Sequence, residues 1–131
     1  MIAELDHSST NSWFVKNLAS RNVTVDPGDV VADLKAMEAA FPNAAMHRQA
    51  MDEMLHQIDV IMHRHPGKPL RGRLQGWTRH KFLSNPSQRN VHADLRIVYR
   101  TDRGSLEIFG FGHRRTPQDI YLRLSSRALQ P

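Results

Sequence analysis

The feature that most constrains the fold of this chain is a tight turn, Asp102-Arg103-Gly104, between two strand-like runs. Residues 94–100 read DLRIVYR, and residues 105–111 read SLEIFGF. Successive side chains of an extended strand point to opposite faces. The first run therefore places apolar side chains on one face and mostly basic ones on the other: Leu95, Ile97 and Tyr99 against Arg96, Val98 and Arg100. A short turn between two such runs predicts an antiparallel β-hairpin.

Two helices are predicted ahead of this hairpin. Asp26-Pro27 combines a capping residue with a proline at the first helical position, and apolar residues recur at helical spacing as far as Phe41. Pro42 ends this helix, and Asn43 caps a second one over residues 44–63. Because the link is so short, we expect the two helices to form an antiparallel hairpin. The second helix has a methionine-rich apolar stripe, which we interpret as core packing: Met46, Ala50, Met51, Met54, Leu55, Ile58, Ile61 and Met62.

The remaining segments complete an α+β pattern. TRHKFL, at residues 78–83, predicts a further strand, and Thr116-Pro117-Gln118-Asp119 is a capping box that starts a final helix. Residues 1–26 allow either a short helix or a strand around Trp13, followed by a first strand at residues 23–25. The expected fold is therefore α+β, a small antiparallel sheet with an N-terminal helical hairpin and a C-terminal helix. We expect one domain over residues 1–131: an extension or first strand at 1–26, the helical hairpin at 27–65, and the basic sheet with the final helix at 66–131.

Basic residues are concentrated in the second half of the chain. Residues 1–65 contain 5 Lys/Arg against 9 Asp/Glu, whereas residues 66–131 contain 13 Lys/Arg against 4 Asp/Glu. Such a one-sided distribution predicts a surface for a polyanion. A solvated basic surface without a partner is the alternative.

Several classes of protein are excluded or disfavoured by composition. The chain has no cysteine, which excludes disulfides, zinc–thiolate sites and thiol nucleophiles. The N-terminal residues lack the pattern of a signal peptide, and no apolar run approaches the ~18 residues of a membrane span. We therefore expect a cytoplasmic protein with no membrane partner. No cofactor and no metal are expected, since no Asp/Glu/His cluster has two-metal spacing and no phosphate-binding glycine loop is present.

The predicted sheet brings together side chains suited to cleavage of an RNA phosphodiester. Arg96 and Arg114 can neutralise the phosphate and the charge that develops in the transition state. His113 can transfer a proton near neutral pH, and the 2′-hydroxyl of RNA supplies an internal nucleophile. His92 and Tyr121 are further catalytic candidates. Other basic residues on or near the predicted strands are candidate RNA contacts: Arg79, Lys81, Arg89, Arg100 and Arg115.

Each of these residues also has a structural interpretation. The arginines can form a solvated strand face, His92 can fill a turn, and Tyr121 can belong to the core. His80 and Lys81 are adjacent on a predicted strand, so at most one of them faces the site.

The second half of the chain resembles the RelE/ParE superfamily of bacterial type II toxins. The resemblance lies in three segments: PLRGRLQGW at residues 69–77, HADLRIVYR at 92–100 and FGFGHRRTPQDIY at 109–121. It implies a small antiparallel sheet with a helical hairpin before it and a helix after it. It also implies an mRNA endonuclease of the RelE or YafQ kind, which acts on ribosome-bound mRNA and leaves a 2′,3′-cyclic phosphate or a 3′-phosphate.

The resemblance assigns roles to individual residues. Arg96 would correspond to a phosphate-contacting arginine, Arg114 to the arginine after the second glycine segment, and Tyr121 to the tyrosine of the C-terminal segment. His113 lies next to a position that is basic in relatives, and His92 resembles the histidine that precedes the third strand in YafQ-like members. The implied partners are a cognate antitoxin, mRNA and the ribosome. Two other functions stay open: a non-enzymatic ParE-like toxin that binds gyrase, and a basic nucleic-acid-binding protein.

Overall fold

The computed structural model describes residues 6–88, 91–115 and 119–129. Within them the chain forms four α-helices, five β-strands and one turn of 3-10 helix at Gly72–Leu74. The elements in chain order are α1 (His7–Ala19), β1 (Val23–Thr24), α2 (Pro27–Ala40), α3 (Ala44–Arg64), β2 (Lys68–Pro69), β3 (Thr78–Phe82), β4 (Leu95–Asp102), β5 (Ser105–His113) and α4 (Ile120–Ala128). The predicted α+β fold, with helices before the sheet and a helix after it, is confirmed.

The sheet is mixed, whereas the sequence predicted an antiparallel one. Its strand order is β1-β5-β4-β3-β2, and the pairs from β5 to β2 are antiparallel. The exception is β1, which pairs with β5 in parallel through Val23 opposite Leu106. No tight turn joins these two strands, because α2, α3 and the rest of the sheet lie between them in the chain. The first strand can therefore run in the same direction as the last.

The hairpin at the centre of the prediction is present. Arg103 and Gly104 both have positive φ, 51° and 85°, between Asp102 and Ser105, which face each other. Two positive φ values are the signature of the mirror-image turn that matches the twist of a hairpin. Farther along, Val98 pairs with Gly110 but Tyr99 pairs with Ile108, which makes a β-bulge.

Side-chain caps define the starts of the N-terminal helices. Asp6 caps α1, and its carboxylate accepts a hydrogen bond from the Ser9 N–H at 2.6 Å. Asp26 caps α2 and Asn43 caps α3, as predicted, through the N–H groups of Asp29 and Met46. The first 26 residues therefore contain both a helix and a short strand. In the final helix the cap is Asp119, whereas residues 116–118 of the predicted capping box lie outside the described residues.

One side of the sheet, here called the core face, is covered by α1, α2 and α3. It carries Leu95, Ile97, Tyr99 and Phe111, which pack with buried side chains of the three helices. The predicted α2–α3 pair is arranged differently from a simple hairpin, because α3 packs mainly along α1 while α2 lies against β5. The methionine-rich stripe of α3 is core, as interpreted from the sequence, although Met46 at its start is exposed.

The opposite side of the sheet, here called the α4 face, is covered only in part. A smaller apolar cluster of Leu74, Val98, Ile120 and Leu124 holds α4 there. Gly110 and Gly112 allow this helix to approach closely: a Cβ at Gly110 would lie 2.4 Å from Leu124 Cδ2, and one at Gly112 would lie 2.3 Å from Arg123 Nη2. No helix within the described residues is long and apolar enough to cross a membrane.

Candidate nucleic-acid interface

Strand register collects basic side chains on the α4 face. Lys81 of β3 is opposite Arg96 of β4, Arg79 is opposite Val98, and Lys68 of β2 is opposite Arg79. Because directly opposed residues of an antiparallel pair share a face, these side chains lie together. His80 faces the other way, where its Nε2–H donates to Gln57 Oε1 of α3 at 2.7 Å. The prediction that His80 and Lys81 point to opposite faces is therefore confirmed.

Electrostatics shows that these cations are mutually close. The pKa of the exposed Lys81 ammonium is lowered, mainly by the charge of Arg79, and the charges of Arg96, Lys68 and Arg114 add to the effect. Among the described residues, the charges that lower the pKa of Lys81 are all positive. We call the five residues the basic patch: Lys68, Arg79, Lys81, Arg96 and Arg114. A patch of like charges without compensating carboxylates attracts an anionic ligand.

Arg96 is the least accessible member of the basic patch, with 6% of its surface exposed. Its Nη1 donates to the carbonyl oxygens of Ala93 at 2.7 Å and Leu95 at 2.9 Å, so the guanidinium fixes the entry into β4. Its Nε is buried and has no partner among the described residues. The sequence pattern identified the face on which Arg96 lies but not its burial.

His113 lies on the opposite side of the sheet from Arg96. It is opposite Leu95, a residue of the core face, and its ring is 6.2 Å from that of Phe41 in an edge-on arrangement. Its Nδ1 accepts a hydrogen bond from the Arg115 N–H at 2.9 Å. Burial lowers the pKa of His113, and the nearby Asp94 carboxylate opposes this without cancelling it. The imidazole is therefore neutral at pH 7, and because Nδ1 accepts from Arg115, the proton of the ring lies on Nε2.

Arg114 and Arg115 follow His113 at the end of β5. The Arg114 N–H donates to the Asp94 carbonyl at 2.9 Å, which ties this end of β5 to the segment that precedes β4. Arg114 is half-buried, whereas Arg115 is exposed. The structure thus brings Arg96 and Arg114 into one patch and leaves His113 at its rim, on the other side of β5.

The other predicted site residues lie outside the basic patch. His92 is exposed in the segment before β4. Tyr121 is half-buried against the apolar cluster under α4, and its hydroxyl is buried without a partner among the described residues. Arg100 lies on the α4 face but is paired with Glu107 at 3.0 and 3.1 Å, and it stacks on Trp77 with its Cζ 4.3 Å from the ring centroid. Arg89 lies outside the described residues.

The sequence did not predict Lys68 as a site residue, because the segment from the Pro66-Gly67 break to the strand at residues 78–83 shows no strand pattern. Lys68 reaches the basic patch through two residues of strand that pair with β3. A two-residue strand leaves no period-2 pattern to detect. The local signal for a basic site was the presence of Lys68, Arg71 and Arg73 shortly after the Pro66-Gly67 break.

The sequence did not predict a buried ion network around Asp33, which lies off the apolar stripe of its helix. The Asp33 carboxylate is 2% exposed and accepts from Arg123 Nη1 at 2.7 Å and from Arg127 Nη2 at 3.0 Å. Asp29 pairs with Arg127 at 3.2 Å. The signal was present in the spacing, since Asp29 and Asp33 share one face of α2 and Arg123 and Arg127 share one face of α4, so an acidic helix face can meet a basic one.

This network bonds the backbone groups of β5 that lie past the two residues paired with β1. Asp33 accepts from the Phe111 N–H at 3.3 Å, while Arg123 and Arg127 donate to the carbonyls of Phe111 at 3.2 Å and Phe109 at 2.8 Å. Unpaired strand groups are otherwise a template for aggregation. We call these contacts the edge network, and they attach α2 and α4 to the sheet.

Two further observations bear on chemistry. Across residues 6–88, 91–115 and 119–129, no group of three or more His, Asp or Glu side chains is placed to hold a metal ion. Comparisons with family models, with curated proteins and with solved structures give no match to this chain.

Proposed function

We propose that this protein is a RelE-like toxin that cleaves mRNA without a metal ion. The observation that supports it is the basic patch on the open part of the α4 face, in which the charges of described residues that lower the pKa of Lys81 are all positive. The resemblance of residues 69–121 to RelE-like toxins supports the same proposal. Under it, the protein acts in the cytoplasm on ribosome-bound mRNA, and an antitoxin with an acidic segment covers the patch.

The chemistry follows from the residues of the patch and its rim. Lys81 and Arg114 offset the charge of the phosphodiester and of the pentavalent transition state. The 2′-hydroxyl loses its proton and attacks phosphorus, the bond to the 5′-oxygen breaks, and that oxygen takes up a proton. The products are a 2′,3′-cyclic phosphate and a 5′-hydroxyl. His113 directly precedes Arg114; under this proposal its ring turns from the core face to the rim of the patch and exchanges these protons with the reacting oxygens.

The test is cleavage of mRNA on translating ribosomes. Wild type is compared with Lys81→Ala, Arg114→Ala and His113→Ala, and with Lys35→Ala as a control on the exposed side of α2. We expect wild type and the control to produce fragments that end in a cyclic phosphate, mapped by primer extension. The patch and histidine variants should be at least about 100-fold slower, the size typical of one catalytic proton-transfer or electrostatic group. Absence of cleavage by wild type, or equal cleavage by all variants, would overturn the proposal.

A second candidate function is nucleic-acid binding without cleavage. It is favoured by the guanidinium of Arg96, which is engaged with two backbone carbonyls, and by the position of His113 on the other side of the sheet. Binding that weakens steeply with added salt, with RNA recovered intact after long incubation, would establish this function in place of the first.

A further inference from the structure

The link between α3 and the sheet is shaped by three local features. His65 ends α3 in the left-handed conformation, φ 49°, with its N–H bonded to the Ile61 carbonyl at 2.9 Å. Gly67 has φ 115°, which only glycine adopts readily. Between them, the Tyr99 hydroxyl donates a hydrogen bond to the Pro66 carbonyl. The chain therefore leaves α3 along a fixed path.

Gly67 also allows β2 to approach β3. A Cβ at this position would lie 2.1 Å from the Arg79 carbonyl oxygen, so any side chain here would push the two strands apart. The next residue is Lys68, which is consequently held directly opposite Arg79. Lys68 is placed by backbone geometry, in contrast to a lysine at a free loop position.

The residues around Gly67 line a cavity of about 240 Å³: Gly67, Lys68, Arg79, His80 and Lys81. Lys68 is exposed, and its charge contributes to lowering the pKa of Lys81. Arg79 and Lys81 are two residues apart on one strand, a separation of roughly 7 Å. That distance is comparable with the spacing of successive phosphates in an extended nucleic-acid strand, so the patch can engage more than one phosphate.

We propose that Lys68 and Arg79 form a separate subsite for a backbone phosphate of single-stranded RNA, next to the phosphate held by Lys81 and Arg114. This proposal rests on the proposed function, because it needs RNA as the ligand, but it does not need cleavage. The subsite extends the footprint toward β2 by one phosphate. Its consequence is a dependence of affinity on RNA length that a single phosphate site would not show.

The experiment measures binding of 2′-O-methyl RNA, which cannot be cleaved, by fluorescence anisotropy over a range of NaCl concentrations. An RNA of about 12 nucleotides and a dinucleotide, which has a single internucleotide phosphate, are compared for wild type, Lys68→Gln, Lys68→Arg and the control Lys16→Ala on α1. For the long RNA, losing one phosphate contact should reduce the slope of log K against log[salt] by about 0.7 in Lys68→Gln. The arginine variant and the control should retain the wild-type slope, and the short RNA should bind all four proteins alike.

The outcomes separate this proposal from the proposed function. Wild-type binding without cleavage, together with the reduced slope of Lys68→Gln, supports the subsite and overturns the nuclease. Cleavage with an unchanged slope in Lys68→Gln overturns the subsite alone. Gly67→Ala keeps the lysine but displaces β2, so a slope like that of Lys68→Gln supports placement by the backbone, and a wild-type slope in a folded Gly67→Ala protein contradicts it.

Discussion

The two faces of the sheet are built from the same strands and differ in almost every other respect. The core face is closed by three helices and carries Leu95, Ile97 and Phe111, all at most 1% exposed. The α4 face is covered by one short helix and carries the basic patch beside it. Strand alternation alone separates the two sets of side chains. One face thus supplies the packing that stabilises the chain, and the other is left open for a ligand.

The edge network connects the helices that cover the two faces of the sheet. Asp33 belongs to α2, on the core side, whereas its partners Arg123 and Arg127 belong to α4. Both helices are therefore attached to the edge of β5 through one buried carboxylate. The contrast between a closed and an open face depends on this attachment, because α4 has only a small apolar cluster of its own.

Replacing Asp33 by alanine should give the largest loss of stability. The change leaves two largely buried guanidinium groups without their shared carboxylate, a defect that costs about 3–5 kcal/mol. The free energy of unfolding is measured by urea denaturation. The matched control is Asp59→Ala, which removes the partner of Arg21 from a carboxylate that is 46% exposed and should cost at most about 1 kcal/mol. Equal losses in the two variants would show that the edge network does not join the faces.

Adding a side chain at Gly112 should cause the next largest loss of stability. The Cβ of Gly112→Ala would lie 2.3 Å from Arg123 Nη2, so the guanidinium must shift away from Asp33 and the Phe111 carbonyl, which weakens the edge network that attaches α4. Overpacking of this kind costs about 1–3 kcal/mol. Denaturation is again the measurement, and the control is Leu122→Ala, at a position of the same helix that is 60% exposed. A Gly112→Ala protein as stable as the control would show that α4 is not tightly packed on its face.

The core face should make stability depend on pH. Burial lowers the pKa of His80 and of His47, so the folded state holds both imidazoles neutral at a pH where the unfolded chain already binds protons. Stability is therefore complete above the unfolded value of about 6.5 and falls as the pH decreases from there toward the folded values. Urea denaturation between pH 8 and pH 5 measures this slope.

The variant His80→Gln removes one titrating group and should flatten the pH dependence. His80 is the simpler of the two to interpret, since burial is the cause of its shift and its hydrogen-bond partner, Gln57, is neutral. His47 also faces His7 of α1, at 2.9 Å between the two Nδ1 atoms, and the charge of Glu38 of α2. The exposed His92, replaced by Gln, serves as control. An unchanged slope in His80→Gln would assign the pH dependence to other groups.

The sequence predicted the parts of the fold that depend on neighbours in the chain. Asp26, Asn43 and the Arg103-Gly104 turn act within a few residues, and each has the predicted role. The parallel pairing of β1 was not predictable in this way, because its partner lies more than 80 residues later. For the same reason the sequence did not predict the burial of Asp33: helical spacing identifies a stripe but not a buried carboxylate satisfied by another helix.

In the candidate site, too, the sequence predicted the local features and missed those that depend on distant parts of the chain. Alternation correctly predicted that His80 and Lys81 face opposite ways, because period 2 is a local property of strands, but it did not say which of the two shares the face of Arg96. It could not distinguish an accessible arginine from one whose guanidinium is engaged with backbone carbonyls, as in Arg96. The position of His113 on the far side of β5 follows from the bulge after Val98, which no spacing rule located.

The substitution Arg100→Ala should have the smallest effect on stability, and it tests whether this residue of the α4 face contacts RNA. Its pair with Glu107 is partly exposed, and its stacking on Trp77 is a surface cation–π contact, so Arg100→Ala should cost no more than about 1 kcal/mol. Arg100 was predicted to contact RNA, yet Glu107 occupies its guanidinium. Glu107→Gln weakens that competition and should increase affinity for the 12-nucleotide RNA, whereas the same change in an Arg100→Ala background should not. If both backgrounds respond alike, the gain comes from net charge and Arg100 does not contact the RNA.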